Sequence, residues 1–502
     1  MLSWRYADEL IALLAGGLTT LAFAPFGLWP LALAGPALLF RIWLKRGRAG
    51  FRPGLFYGLG LMGSGVTWLY VSIAQFGDLG WLFPVLITAL FVLIVAFYYG
   101  LTGWLAGRIG SSYRLKLVAI FPVVWVLVEW LRGWLFTGFP WLQLGYAMID
   151  TPLAGYAPLL GSLGVSFMTV LTSGLILLLP EAGRMRWFAA SALLLIWCAG
   201  WGLLQMTWSQ PLGEPLKVAL VQGNIPQHQK WELEQLLPTL TRYATHTREH
   251  FGDDLILWPE TAVSAFQYQV DEPFLKPLEE ALQSHGSQLV FGVVQLDPDG
   301  RRYYNAMVAM GDQRDQYHKR HLVPFTEYLP FKSVLWPLVD LFTIPMSDFT
   351  AGSKAKPLMQ VGQYQVGMSI CYEDAFGAEL AQALPEAAYL INASNDAWFG
   401  DSLAPPQHLQ IARMRALETE RYLLRATNTG ISAVIGPRGE LLASAPLLQE
   451  RVVEARIQPM TGSTPFGRLG NLPLLGLLVM MFIIGYPCTH ARFRGSCSTS
   501  DA

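Results

Sequence analysis

The chain has 502 residues, 53% of them hydrophobic and only 14% charged, with a formal net charge of -1. Soluble domains carry about 25% charged residues, so an ordinary soluble protein is excluded, and the balanced charge removes any bulk electrostatic case for a nucleic-acid partner. A mean hydropathy of +0.35 points instead to the membrane.

The N-terminal stretch MLSWRYADELIALLAGGLTTLAFAPFG has the length of a signal peptide. Apolar segments follow it repeatedly and no small-residue cleavage site stands out, so it reads as a first membrane helix. About 20 apolar residues in a helix cross a hydrocarbon core of ~30 Å. By that measure eight transmembrane helices are expected, near 8–24, 27–44, 54–75, 81–106, 115–135, 158–180, 186–208 and 468–490, with Pro30, Pro36 and several glycines interrupting the pattern. The expected architecture is a polytopic helical bundle: helices one to seven in 1–209, an inserted α/β domain in 210–465, helix eight in 466–490 and a tail in 491–502.

Lysine and arginine placement sets the expected orientation. KRGRAGFR, Arg108, Arg114, Lys116, Arg184, Arg186, Arg492 and Arg494 all fall on one side if the N-terminus is cytoplasmic, while QFGDLG and FTGFPWLQLGYAMIDTPLAGYAP contain neither residue. The 210–465 domain is then exported; in a bacterium with two membranes the helices would lie in the inner membrane and the domain in the periplasm. Glu129 and Arg132, i,i+3 near the outer end of the fifth span, read as an ion pair, with a role near the lipid headgroups left open.

Four cysteines are present, and Cys371 alone lies in the exported domain. Exported cysteines usually pair, so an unpaired one needs a chemical reason to persist. PLKVALVQGNI, DLILWPETAV, SQLVFGVVQLD and YQVGMSICYED read as strands, and WELEQLLPTLTRYATHTREH, PFLKPLEEALQSHG and AELAQALPEA as helices. Their alternation, with several antiparallel turns, indicates a layered α/β sandwich.

Glu260, Lys319 and Cys371 stand at the ends of three separate strand-like segments, where α/β folds assemble sites. A thiol is a poor nucleophile while protonated, so it needs a base, which Glu260 can be. The oxyanion formed when sulfur attacks an acyl carbonyl needs donors, which the Lys319 ammonium and the Tyr372 N–H, expected at a helix start, can supply. The three side chains suffice for acyl transfer through a thioester. His246 with His250 and His318 with His321 have spacings open to a metal but lack the flanks of a zinc motif; surface histidines, no metal and no cofactor are expected.

LILWPETA, YHKRHLVPFTEYLP and VGMSICYEDAFG resemble the carbon–nitrogen hydrolase (nitrilase) superfamily. Together with VQGNIPQHQKW, GFPWLQLGYA, NASNDAWFGDSLAPPQHLQIARMRALETERYLLRATNTG and the apolar spans, they closely resemble the apolipoprotein N-acyltransferase family over nearly the whole chain. The resemblance implies an αββα sandwich on a membrane bundle. It also implies transfer of an acyl chain from a phospholipid to the α-amino group of an apolipoprotein's N-terminal diacylglyceryl-cysteine. Carried over by motif, Glu260 is the base, Lys319 the oxyanion stabiliser, Cys371 the acyl carrier and Glu327 a second carboxylate that positions Lys319 or the amine; Trp231, Tyr372 and Glu373 match further site positions. The expected partners are the bilayer, the phospholipid donor and the apolipoprotein acceptor, with the enzyme a monomer. Two rivals stay open: a membrane-anchored amidase using the same trio with water, and a non-enzymatic membrane scaffold. FKSVLWPLVDLFTIPMSDF, residues 331–349, is too apolar for a solvated loop and is expected to act as a lid that excludes water.

Overall fold

A computed structural model describes residues 6–76, 80–330, 332 and 348–485. The expected lid lies almost wholly outside these residues. The chain forms two compact units: residues up to Tyr70, Leu82–Met206 and the chain from Leu469 in one, Val71–Trp81 and Thr207–Arg468 in the other.

The first unit is helical. Among the described residues, Leu82–Arg108, Pro152–Ile176 and Arg184–Leu203 are long and apolar enough to cross a membrane, and Phe51–Gly65 with Trp68–Gln75 adds a fourth if that pair, bent by 54°, is counted as one span. Among the described residues eight full-length spans do not appear on this measure, and the expected span 468–490 runs past them. Ala7–Thr20 has 14 residues and Leu31–Arg46 has 16, set apart by a turn carrying Pro25 and Pro30, while Phe121–Arg132 has 12 and follows a π turn at Lys116–Ile120. Glycines let these helices approach closely: a Cβ on Gly16 would lie 2.0 Å from the Tyr57 carbonyl oxygen. Asp8 accepts from Lys45 at 2.9 Å and from Arg46 at 2.6 Å, and Arg114 pairs with Glu181 at 2.7 Å, so the start of the first helix and the basic loops are drawn together in pairs.

The Lys-free stretch around GFPWLQLGYA is buried in this unit, not spread at its surface. Glu129 and Arg132 explain how. Arg132 donates to the Trp141 carbonyl at 2.6 Å, and Glu129 accepts from the Leu144 N–H at 3.1 Å. The pair, itself 3.7 Å apart, satisfies backbone groups that burial takes from water.

The second unit is built on two sheets. The first runs Arg451–Ile457, Leu216–Gln222, Leu255–Leu257, Gln288–Leu296, Tyr303–Met310, Asp315–His318, with Val263–Phe266 beside Gln288–Leu296; the second runs Leu441–Ser444, Ala433–Ile435, Leu423–Thr427, Leu390–Ser394, Tyr364–Ile370, Leu358–Val361. Alternating side chains assign the layers. Val218 and Leu220 meet Met368, Ile370, Ile391 and Leu424 between the sheets. Ala219 and Val221 face outward onto Leu240 and Tyr243 of the helix Leu233–Glu249, and Leu390 and Leu423 face Leu409 and Ala416 of the helix Ala404–Thr419. The order is helix, sheet, sheet, helix. Two expected elements differ. DLILWPETAV is not one strand but Leu255–Leu257, then a turn, with Val263 opening the separate strand Val263–Phe266, and AELAQALPEA reduces to Gly377–Leu380 and a 3₁₀ turn at Ala381–Ala383, cut short by Pro385.

Candidate active site

Within each sheet three neighbouring strands run parallel: Leu216–Gln222, Leu255–Leu257 and Gln288–Leu296 in one, Tyr364–Ile370, Leu390–Ser394 and Leu423–Thr427 in the other. The turns leaving these strands carry the polar residues. Glu260 follows Leu255–Leu257, Cys371 follows Tyr364–Ile370, and Lys319 follows the edge strand Asp315–His318.

Cys371 has φ +51°, a left-handed conformation that a side-chain-bearing residue holds only when its surroundings impose it. The segment after it is a 3₁₀ turn, Cys371–Ala375, and not the expected helix, so the Tyr372 N–H has no helix dipole behind it. Tyr372 packs edge-on against Phe376 and His321.

Lys319, 1% exposed, donates to Glu327 at 2.9 Å and lies 3.5 Å from Glu260. Burial disfavours its ammonium, but the Glu327 and Glu260 carboxylates outweigh that and raise its pKa above the ordinary lysine value. Burial and then Glu260 push the Cys371 thiol well above its usual range, with Lys319 pulling the other way. The resting pair is therefore a thiol and an ammonium. Thiolate forms only if its proton has somewhere to go as sulfur attacks, and Glu260 is the carboxylate whose charge the thiol feels most.

Sequence reasoning missed Asn305, which lies mid-strand in YYNAMVAM. Its Nδ2 donates to Glu260 at 2.7 Å and to Glu327 at 3.1 Å, holding the two carboxylates around one lysine. The signal was a lone amide among strand apolars, since a buried side-chain amide must find partners. Glu327 is fixed in turn by the Val323 N–H at 2.8 Å.

Glu373 has a different place. Its carboxylate accepts from the Arg320 and His321 N–H groups at 2.7 and 3.0 Å, the Ile370 N–H at 2.8 Å, and the Tyr317 hydroxyl at 3.0 Å. It ties the segment after Lys319 to the residue before Cys371. Trp231 is 53% exposed, on the loop that follows Leu216–Gln222. The four histidines of the two spaced pairs each have protein partners: His246 meets Glu450, His250 meets Asp253, His318 meets Gln295 and His321 meets Glu379.

Beneath Cys371 lies a second ionic group. His408 bonds Asp374 through Nε2 at 2.8 Å and Asp396 through Nδ1 at 3.1 Å; Arg425 donates to Asp374 at 3.2 Å and to Asp396 at 3.0 Å. Asn392, which Arg425 also bonds, donates to the Cys371 carbonyl at 3.2 Å.

The four-layered α/β sandwich belongs to a known class: residues 217–466 match the family described as carbon-nitrogen hydrolase. Residues 15–175 match the apolipoprotein N-acyltransferase N-terminal domain. Apolipoprotein N-acyltransferases of Methylococcus capsulatus, Nitrosomonas europaea and Coxiella burnetii are 46%, 40% and 37% identical to this chain. The alignments cover 97%, 98% and 95% of this chain, and 97%, 99% and 100% of those proteins. The chain belongs to the apolipoprotein N-acyltransferase family.

Proposed function

We propose that this protein is a membrane acyltransferase that takes an acyl chain from a phospholipid and delivers it, through a thioester on Cys371, to the N-terminal amine of diacylglyceryl-cysteine in apolipoproteins. The observation that carries the chemistry is Lys319 held between Glu260 and Glu327, with the Cys371 thiol within the field of both Glu260 and Lys319. In the first half Glu260 takes the thiol proton as sulfur attacks the ester carbonyl carbon. Lys319 and the Tyr372 N–H stabilise the oxyanion. The carbon–oxygen bond breaks, and the leaving alkoxide takes the proton back as lysophospholipid. In the second half the amine attacks the thioester, Glu260 takes its proton, the carbon–sulfur bond breaks, and the thiolate is reprotonated. Glu327 and Glu373 are positioning residues, and Trp231 and Tyr372 flank the lipid.

The reading includes eight spans, cytoplasmic loops at 45–52, 107–116 and 181–186, and a periplasmic 210–465 domain. The basic-loop ion pairs support it. Reporter fusions after residues 48 and 300 are expected to report opposite compartments; agreement contradicts the topology. For the reaction, purified protein is incubated with phospholipid and a diacylglyceryl-cysteine peptide. Peptide heavier by one acyl group, with matching lysophospholipid, is expected. Free fatty acid with unmodified peptide favours the amidase, and no Cys371-dependent change in either lipid favours the scaffold.

A further inference from the structure

A second lysine at the site has no part in this scheme. Lys230 is 3% exposed, and its ammonium donates to the Glu260 carbonyl oxygen at 3.2 Å and the Thr261 hydroxyl at 2.7 Å. Among the described residues no carboxylate pairs with it. A buried, unpaired ammonium is costly to keep. Burial outweighs the Glu260 charge and draws its pKa down to about 8. A purely structural position is better served by an apolar side chain of the same length.

The turn it grips is strained and tightly seated. Thr261, a β-branched residue, has φ +46°. The Pro259–Thr261 backbone lies on Gly292, where a Cβ would come within 2.3 Å of the Thr261 nitrogen. The loop carrying Lys230 is anchored on its other side to the second sheet. Ile225 N–H donates to Asn428 Oδ1 at 2.9 Å, the Asn224 N–H to the Asn428 carbonyl at 2.9 Å, and Asn395 to the Gln227 side chain at 2.7 Å. Asn395 and Asn428 directly follow Leu390–Ser394 and Leu423–Thr427. The same loop presents exposed Trp231.

We propose that Lys230 is a positioning residue for acyl transfer, pinning the strained Glu260–Thr261 turn to the anchored loop that presents Trp231. The base of one sheet is thereby held in register with the loops of the other. The inference rests on the reading of Glu260 as proton acceptor.

The test measures single-turnover thioester formation on Cys371 from phospholipid, using full-length protein in detergent. Lys230→Met keeps the stem and removes the charge. It is expected to slow the step by about 10–100-fold, as sub-ångström misplacement of a reacting group does. The phospholipid KM should be nearly unchanged, and Tm equal or higher because an unpaired buried charge has gone. Lys230→Arg should recover part of the rate. Thr261→Val removes one acceptor and should slow the step by about 2–10-fold, the worth of one hydrogen bond. A Lys230→Met rate within about twofold of wild type, while Glu260→Gln forms no thioester, overturns the inference and leaves the base reading standing. A Glu260→Gln enzyme with the wild-type rate sinks the base reading itself. A Lys230→Met rate that recovers on cooling below its melting transition marks a stabilising lysine and also overturns the inference. If Lys230→Met does not fold, Thr261→Val decides: a slowed step supports the inference, and the wild-type rate overturns it.

Discussion

Two of the buried ionic clusters in the α/β unit are wired differently. Under the cysteine turn, Asp374 and Asp396 each accept from both His408 and Arg425, so two anions and two cations close on one another. Around Lys319, one ammonium serves Glu260 and Glu327, and among the described residues Glu260 Oε2 accepts no hydrogen bond. A closed network fixes geometry because every partner has a unique place. An open one keeps an acceptor free to take a proton. The cysteine turn sits where the two meet: the first braces its shape, and the proposed proton transfer falls to the second.

That contrast breaks most sharply at Arg425. Arg425→Met leaves two buried carboxylates with one cation and should cost about 3–5 kcal/mol of stability, the usual penalty for breaking a buried pair. Measured as Tm in detergent, this loss should far exceed any loss in thioester formation per folded molecule. Lys319→Met also takes the cation from two buried carboxylates and should lower Tm, but its larger effect should be on the chemistry, slowing thioester formation per folded molecule about 10²–10³-fold, as loss of an oxyanion donor does. Asn305→Ala should fall between them in character, with a loss of about tenfold, mostly in kcat, because Glu260 and Glu327 keep their lysine but lose their spacer.

The smallest effect is a pH dependence. Burial and Arg425 disfavour charge on His408, yet Asp374 and Asp396 outweigh them and raise its pKa to about 9. A group raised on folding stabilises fully below its unfolded pKa, ~6.5 for histidine, and that contribution is lost as pH rises through the folded value. Tm should therefore fall between pH 6.5 and 9.5 by about 2–4 °C for each kcal/mol lost. In His408→Gln the slope should flatten. An equal slope in both proteins removes His408 from the account.

The strand ends were legible because Glu260, Lys319 and Cys371 carry reactive groups in long motifs, and because apolar alternation marks the strands that aim them. The rest depended on partners distant in the chain. His408 and Arg425 lie 34 and 51 residues from Asp374, on a helix and a strand whose packing no local pattern states. Lys230 drew no reading from the sequence, since burial is a property of the fold and not of the residue. Glu373 was legible only as a match to a site position; the segment after Cys371 is a single 3₁₀ turn, and the carboxylate gathers three backbone N–H groups from two segments. The early helices read as spans by apolar content, while their proline-bearing turn shortens them.

The central claim, that the open cluster makes Cys371 an acyl carrier, is tested most directly by intact-protein mass spectrometry after incubation with phospholipid alone. The account predicts one acyl group per chain, lost on hydroxylamine treatment, mapped to Cys371 and absent from Cys371→Ala and Glu260→Gln. Unchanged mass in the wild type while acyl transfer to the diacylglyceryl-cysteine peptide proceeds, or the same adduct in Cys371→Ala, would contradict it.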